Sequence, residues 1–279
     1  MNLTESVRVA LRALGANKLR ASLTMLGMII GVGAVIALMS IGRGIQASVT
    51  AQISGLGSNL LFISPGAQTQ GGVRSQAGTA PTLTYEDAQA IVDSGQVPQV
   101  VATAPEQYSG GQVIANGQNM FTRLDGVTPD FQDVRNFHVA EGDFISSDNM
   151  AARSLVAVLG ANVKVTLFGD GEAIGQTVRV NQVTLRVIGV MEAKGSQAQG
   201  SQDNMILVPL STMQARLDRN RNVKASQTVD QINVQLADGQ KATSDAAVQN
   251  IGDLLRTRHK VAQDDFTIRS QEEDRKSVV

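Results

Sequence analysis

A chain of 279 residues with a formal net charge of -1 and 42% hydrophobic side chains can bury a sizeable core, but it carries no basic footprint for nucleic acid. The absence of cysteine excludes a disulfide framework, thiolate zinc sites and thiol nucleophiles together. Aromatic residues make up only 3% of the chain, so its core must rest on Val, Leu, Ile, Ala and Met.

Residues 1–17 are expected to form an amphipathic helix. Leu3, Val7, Leu11 and Leu14 share one stripe, while Glu5, Arg8 and Arg12 lie on another face. Beside a membrane span, such a helix lies in the interface plane. Residues 21–42 form a run of 22 residues without a charge. At 1.5 Å per residue this spans about 33 Å, enough to cross a bilayer core. Arg8, Arg12, Lys18 and Arg20 precede the run against Glu5 alone, which places the N-terminus in the cytoplasm and the rest outside. Arg43 argues the other way with a single charge. A cleaved signal peptide is the rival reading, with Val49-Thr50-Ala51 as its site, but the apolar run exceeds the usual h-region of about 7–15 residues. Gly27 and Gly31 are four apart and give a small-residue face where a second helix can pack. Glycine is also simply common in membrane helices, and the pattern alone does not separate the two.

Residues 43–58 are predicted to extend the span as a helix, with Ile45, Val49 and Ile53 at four-residue spacing. Leu60 to Ser64 reads as a strand stopped by Pro65-Gly66, and 66–80 as a mobile loop. Thr84 and Asp87 form a capping box that opens a helix. Val97 to Ala104 reads as a strand interrupted by Pro98. Val113–Ala115 and Met120–Leu124 flank Asn116-Gly117, a type I′ hairpin signal. A short helical piece is predicted over 128–134, with Pro129 in its first turn. Leu155 to Leu159 is a strand, and 161–168 a helix despite its β-branched residues. Residues 177–180 and 183–190 pair across Asn181-Gln182, and 193–203 is another soft loop. Met205 to Val208 is a strand, followed by a second capping box of Ser211 and Gln214 that opens a helix through Leu217. Val229–Leu236, Thr243–Arg258 and Phe266–Ile268 read as strand, helix and strand. This order fits an α+β module (59–107 and 204–270) split by a β-rich insertion (108–203), with a charged tail at 271–279.

The chemistry of an enzyme is not visible. His259 sits between Arg258 and Lys260 at a helix end and reads as a solvated cation favouring the dipole. His138 belongs to no metal-binding spacing. Asp264-Asp265 and Glu272-Glu273-Asp274 read as solvated charge runs, and Gly169-Asp170-Gly171 lacks the further ligands of a calcium loop. No serine elbow and no Gly-x-x-x-x-Gly-Lys-Ser/Thr loop occurs, so neither a catalytic site nor a cofactor is expected.

Leu23-Thr24-Met25-Leu26-Gly27-Met28-Ile29-Ile30-Gly31-Val32 resembles the first membrane helix of MacB-type (FtsX-like) ABC transporter permeases. Also similar are Gly57-Ser58-Asn59-Leu60, Ser64-Pro65-Gly66, Gly126-Val127-Thr128-Pro129-Asp130-Phe131, Glu141-Gly142-Asp143-Phe144, Val158-Leu159-Gly160, Leu167-Phe168-Gly169, Ile174-Gly175-Gln176, Val187-Ile188-Gly189-Val190 and Val208-Pro209-Leu210-Ser211. The resemblance implies one transmembrane helix and an extracytoplasmic porter-like α+β domain with a sabre-like insertion. It implies a permease subunit that couples ATP hydrolysis on a separate cytoplasmic ATPase to motion outside. Such a subunit would work as a homodimer in membrane lipid and meet an adaptor protein outside. The family pattern continues with three more membrane helices, so the chain is expected to be a fragment or a truncated product. The rival classes are a single-span anchored scaffold without a motor, and an anchored hydrolase.

Overall fold

The computed structural model describes residues 5, 8, 17–54, 59–66, 69–70, 73–74, 82–197, 200–217, 228–261 and 263–270. They fall into two compact units, residues 1–54 and 55–279.

The first unit holds helix α1, Lys18–Ser54, which is unbroken over the predicted span and its extension to Ser54. The predicted amphipathic helix at 1–17 lies outside the described residues except for Glu5, Arg8 and Asn17, of which Glu5 and Arg8 are helical.

The second unit is α+β, as predicted. Its strands are β1 (Leu60–Pro65), β2 (Thr69–Gln70), β3 (Val73–Arg74), β4 (Val100–Ala115), β5 (Gln118–Val127), β6 (Val139–Gly142), β7 (Val156–Leu159), β8 (Thr177–Val180), β9 (Val183–Met191), β10 (Ser196–Gln197), β11 (Gly200–Ser201), β12 (Met205–Pro209), β13 (Gln231–Leu236) and β14 (Phe266–Ser270). Helices α2 (Tyr85–Asp93), α3 (Phe131–Val134), α4 (Ser147–Ala151), α5 (Ala161–Phe168), α6 (Leu210–Thr212) and α7 (Lys241–His259) lie between them. One sheet runs β14-β1-β13-β4-β5-β12-β7-β9-β6, with β8 joined to both β4 and β9. The β5–β12 and β7–β9 pairs are parallel; the other pairs are antiparallel.

The long strand β4 organises this sheet. Its first part, from Val100 to Glu106, pairs with β13, and Gln107 to Ala115 pairs with β5. The sequence reading takes this strand only as far as Ala104, short of Pro105, Glu106 and Gln107. The structure carries it on, since the polar groups there find partners across the sheet. Pro98 lies before the strand, not within it. The Asn116-Gly117 turn is as predicted, with positive φ at both residues (49° and 74°), the requirement of type I′.

Three clusters fill the core. Leu61, Ile63, Ile232 and Val234 pack with Ile91 of α2 and Ile251 and Leu255 of α7. Val163 and Leu167 of α5 join Leu124, Leu159, Leu185 and Ile206. Phe131 and Phe137 join Ile145, Val158 and Leu207. Each such side chain, fully buried, contributes about 1.5–3 kcal/mol.

Several quoted sequence strings owe their glycines to close backbone approach. A Cβ at Gly142 would stand 2.3 Å from the Ile188 carbonyl, and one at Gly189 would stand 2.3 Å from the Asp143 carbonyl. Glu141-Gly142-Asp143-Phe144 and Val187-Ile188-Gly189-Val190 are therefore two sides of one contact between β6 and β9.

Two predicted features differ. Ser211 does not cap a helix: α6 begins at Leu210, and the Ser211 hydroxyl donates instead to the Met150 carbonyl at 2.6 Å. Met213–Leu217 continues α6 as a π-helical turn. The soft loop at 193–203 contains the β10–β11 pair, and the buried Asp203 carboxylate accepts from the Lys194 and Gly195 amides at 2.8 Å each. Within 66–80, β2 pairs with β3; the remaining residues there, Gly66 apart, lie outside the described set.

Candidate functional site

In α1, Lys18–Gly44 contains an 18-residue stretch of mean hydropathy 2.3 and is the one described helix long and apolar enough to cross a membrane. Its side chains make no core of their own: Leu23, Met28, Ile29 and Leu38 are all exposed. The hydroxyls of Ser22 and Thr24 donate back to the Leu19 and Arg20 carbonyls at 3.0 Å each, which satisfies them inside the helix, as lipid demands. A Cβ at Gly27 or Gly31 would meet nothing within 4 Å, so this face is open. Lys18 and Arg20 are exposed in the first turn and Arg8 is exposed, while Arg12 lies outside the described residues.

In the second unit, buried polar groups converge where β13, β4 and β5 meet. Asn233 Nδ2 donates to the Ala104 carbonyl at 2.9 Å and to Glu106 Oε1, and Gln231 Nε2 donates to Asn233 Oδ1 at 2.6 Å. Arg135 Nε stands 3.7 Å from Glu106 Oε1, and its guanidinium lies over the Phe62 ring. The Tyr108 amide donates to Asp230 Oδ2 at 2.7 Å. Arg123 reaches Asp125 Oδ2 with Nε at 3.0 Å and Nη2 at 2.5 Å, and its guanidinium stacks 4.7 Å from the Tyr108 ring centroid. Asp125 is fully buried, and its Oδ1 has no hydrogen-bond partner among the described residues. Burial pushes this carboxyl up to about 7 against the pull of Arg123. Burial, with Glu106 close by, also holds the Tyr108 phenol well above its ordinary value. Nothing local in the sequence announces this network, because its members are spread from Glu106 to Asn233.

A shallow groove of about 650 Å³ opens beside it, lined by Tyr108, Met120, Phe121, Thr122 and Arg123. Phe121 is 77% exposed.

A second cluster joins α2, α7 and the start of β14. Thr84 caps α2 with Asp87 as predicted. Asp87 also accepts from Arg258 Nε at 2.8 Å, and His259 Nε2 lies 3.2 Å from its Oδ2. His259 Nδ1 lies 2.8 Å from Asp265 Oδ1. The solvated readings of His259 and Asp265 are therefore wrong: their side chains are only 11% and 16% exposed. Burial alone would push Asp87 up, but hydrogen bonds from Arg258, Thr84 and His259 bring it below the usual carboxylate range. Burial alone would push His259 down, but its two carboxylate partners raise it. Asp264 pairs with Arg256 at 2.6 Å and stays half-exposed. His138 is exposed beside Asn136, and no cluster able to hold a metal occurs among the described residues. These clusters tie elements together, and the Thr84 hydroxyl also donates to Asp87 Oδ2 at 2.7 Å.

The family described as MacB-like periplasmic core domain matches residues 21–254. A protein of Azoarcus sp. (strain BH72) named "Macrolide export ATP-binding/permease protein MacB" is 38% identical over 270 residues, covering 96% of this chain and 39% of that relative. A protein of the same name from Bdellovibrio bacteriovorus is 34% identical over 257 residues, covering 92% of this chain and 38% of the relative. The chain thus spans about two fifths of the length of these curated relatives. Among solved structures, the periplasmic region of MacB from Actinobacillus actinomycetemcomitans superposes with a TM-score of 0.63 at 22% identity, covering 81% of this chain and 95% of that one. The extracellular domain of the noncanonic ABC-type transporter YknZ from Gram-positive bacteria gives 0.60 at 14% identity, covering 76% and 100%.

Proposed function

The chain belongs to the MacB-like periplasmic core domain family, and from that premise we propose that it serves as a permease component of an ABC-type efflux or mechanotransmission complex. One observation carries this reading: the family match begins at residue 21, inside α1, and runs on to 254 in α7, so the apolar helix and the α+β unit belong to one pattern. In this reading α1 is a retained membrane anchor in the cell (inner) membrane. Arg8, Arg12, Lys18 and Arg20 stay at its cytoplasmic interface, and the α+β unit works outside. In this reading ATP hydrolysis is assigned to a separate cytoplasmic ABC ATPase subunit; residues 1–279 contain no phosphate-binding loop. Two chains would pack through Gly27 and Gly31, and the outer unit would meet an extracytoplasmic adaptor.

Alkaline phosphatase and a green fluorescent protein fused in turn behind Val279 test the topology. Phosphatase activity without fluorescence is expected; fluorescence alone would overturn the placement. Purification of the intact protein from native membranes should recover an ATPase with a Walker motif, and its absence would remove the coupling from the reading.

A further inference from the structure

Strand β5 is covered on one edge along its whole length but on the other along only part of it. β4 pairs with it from Gln118 to Gly126. β12 reaches it only from Arg123 onward, where Met205 stands opposite. Among the described residues, Gln118 to Thr122 therefore face no strand on the side away from β4.

Register decides which groups point there. The two-residue turn makes Ala115 and Gln118 a hydrogen-bonded pair, and such pairs alternate along an antiparallel ladder. The amides and carbonyls of Gln118, Met120 and Thr122 are thus turned to β4. Those of Asn119 and Phe121 are turned to the open edge. An uncovered edge of this kind is a template for an added strand.

The side chains beside that edge are specific. The Phe121 ring lies across Gly110, where a Cβ would come within 2.7 Å of it, and so stands flat on the sheet instead of burying itself. Arg123 is two residues on and on the same face, 47% exposed and propped on Tyr108. It uses Nε and Nη2 for Asp125, which leaves Nη1 without a hydrogen bond among the described residues. Asp125 holds its proton more readily than an ordinary carboxyl, so it neutralises Arg123 only in part.

We propose that the Asn119–Phe121 edge of β5 captures an extended segment of a partner protein as an added strand; because Met205 holds the place opposite Arg123, an acidic side chain of that segment sits opposite Phe121, diagonal to Arg123, and an apolar one two residues away sits opposite Asn119, diagonal to the Phe121 ring. This deepens the reading that the outer unit meets a partner and rests on it for the partner's location. Charge complementarity selects the acidic residue, and the two-residue strand period fixes its spacing from the apolar one.

The probe is a fluorescein-labelled peptide, Ser-Leu-Thr-Asp-Thr-Leu-Ser, capped at both ends. It presents an apolar residue two positions from the acid in either strand direction. Anisotropy is read against the full chain in detergent micelles. Binding is expected, at least tenfold weaker for the peptide with Lys in place of Asp. Phe121→Ala and Asn119→Pro should each weaken binding at least tenfold. Phe121 and Asn119 are both exposed, and proline is tolerated on an edge strand, so circular dichroism should show both variants folded. Amide exchange at 118–122 should slow when the peptide binds. Equal affinity for the Asp and Lys peptides, unchanged affinity in both variants, or no binding at millimolar peptide would overturn the proposal. None of these readouts depends on an ATPase or on membrane orientation, so failure here is distinct from failure of the functional reading.

Discussion

His259 Nε2 stands 3.2 Å from Asp87 Oδ2, joining the last turn of α7 to the first turn of α2 across 172 residues of sequence. The Asp265 carboxylate holds the other ring nitrogen, and Arg258 holds the other oxygen of Asp87. The ring also meets Phe266 edge-on. One histidine thus links two helices and a strand.

That link should titrate. His259 is raised in the folded state, so its contribution is fully present below its ordinary value of 6.5 and is lost as pH rises through its folded value. Asp87 is lowered, so its contribution is present above its ordinary value of 3.8 and is lost as pH falls through its folded value. Both are therefore in place between these two pH values. His259→Gln should cost about 1–3 kcal/mol at pH 6 and flatten the loss of stability above pH 6.5. Thermal unfolding of the full chain at pH 6 and pH 9 checks this; an unchanged pH slope would refute it.

Asp125 should act in the opposite sense. Its folded value is raised to about 7, so the native state holds a proton that the unfolded chain releases, and stability falls as pH climbs from 3.8 to about 7. Asp125→Asn removes that slope. At pH 8 it should raise stability by up to about 4 kcal/mol, roughly three pH units at 1.36 kcal/mol each. Unfolding midpoints at pH 5 and pH 8 give the answer; a variant less stable at both would show that the pairing with Arg123 dominates.

The β6–β9 contact should not accept side chains. Gly142→Ala and Gly189→Ala each drive a Cβ to 2.3 Å from a backbone oxygen, and Gly142 also has φ of +80°. Each should cost about 3 kcal/mol or more. Gly175 shares the φ of +80° but has open space, so Gly175→Ala should cost only about 1 kcal/mol. Comparable losses at Gly142 and Gly175, with little loss at Gly189, would mean that backbone angle, not approach, sets the cost.

Gly27→Leu and Gly31→Leu should leave the α+β unit folded, since both lie in the separate first unit and a Cβ at either position meets nothing within 4 Å among the described residues. Both should weaken association between membrane-embedded chains, read by cross-linking in vesicles. Undiminished cross-linking would assign these glycines to ordinary membrane-helix composition.

Local signals were legible where local forces decide. The Asn116-Gly117 turn, the Thr84–Asp87 box and the helix at 161–168 stand where the sequence puts them. Legibility fails where a distant partner decides. Ser211 carries the right spacing for a cap, but its hydroxyl is taken by Met150, 61 residues away. A true capping box at Ser146 and Asn149 passes unnoticed because Asn stands where Glu or Gln is the usual signal. His259 is flanked by Arg258 and Lys260, which suggest solvent, although its ring turns inward to two carboxylates. The predicted strand stops short of Glu106, whose partners Asn233 and Arg135 are distant in sequence. The apolar helix needed no partner to be recognised, since length and lack of charge suffice.

Strand β4 runs 16 residues without interruption, about 53 Å of nearly extended backbone at 3.3 Å per residue. A tug applied at Val100 would load its ladders with β13 and β5 along the strand, so many hydrogen bonds share the strain instead of unzipping one by one. The part of the sheet around β13 and the part around β5 are thereby joined by one continuous strand, with no turn or loop between them to give way first.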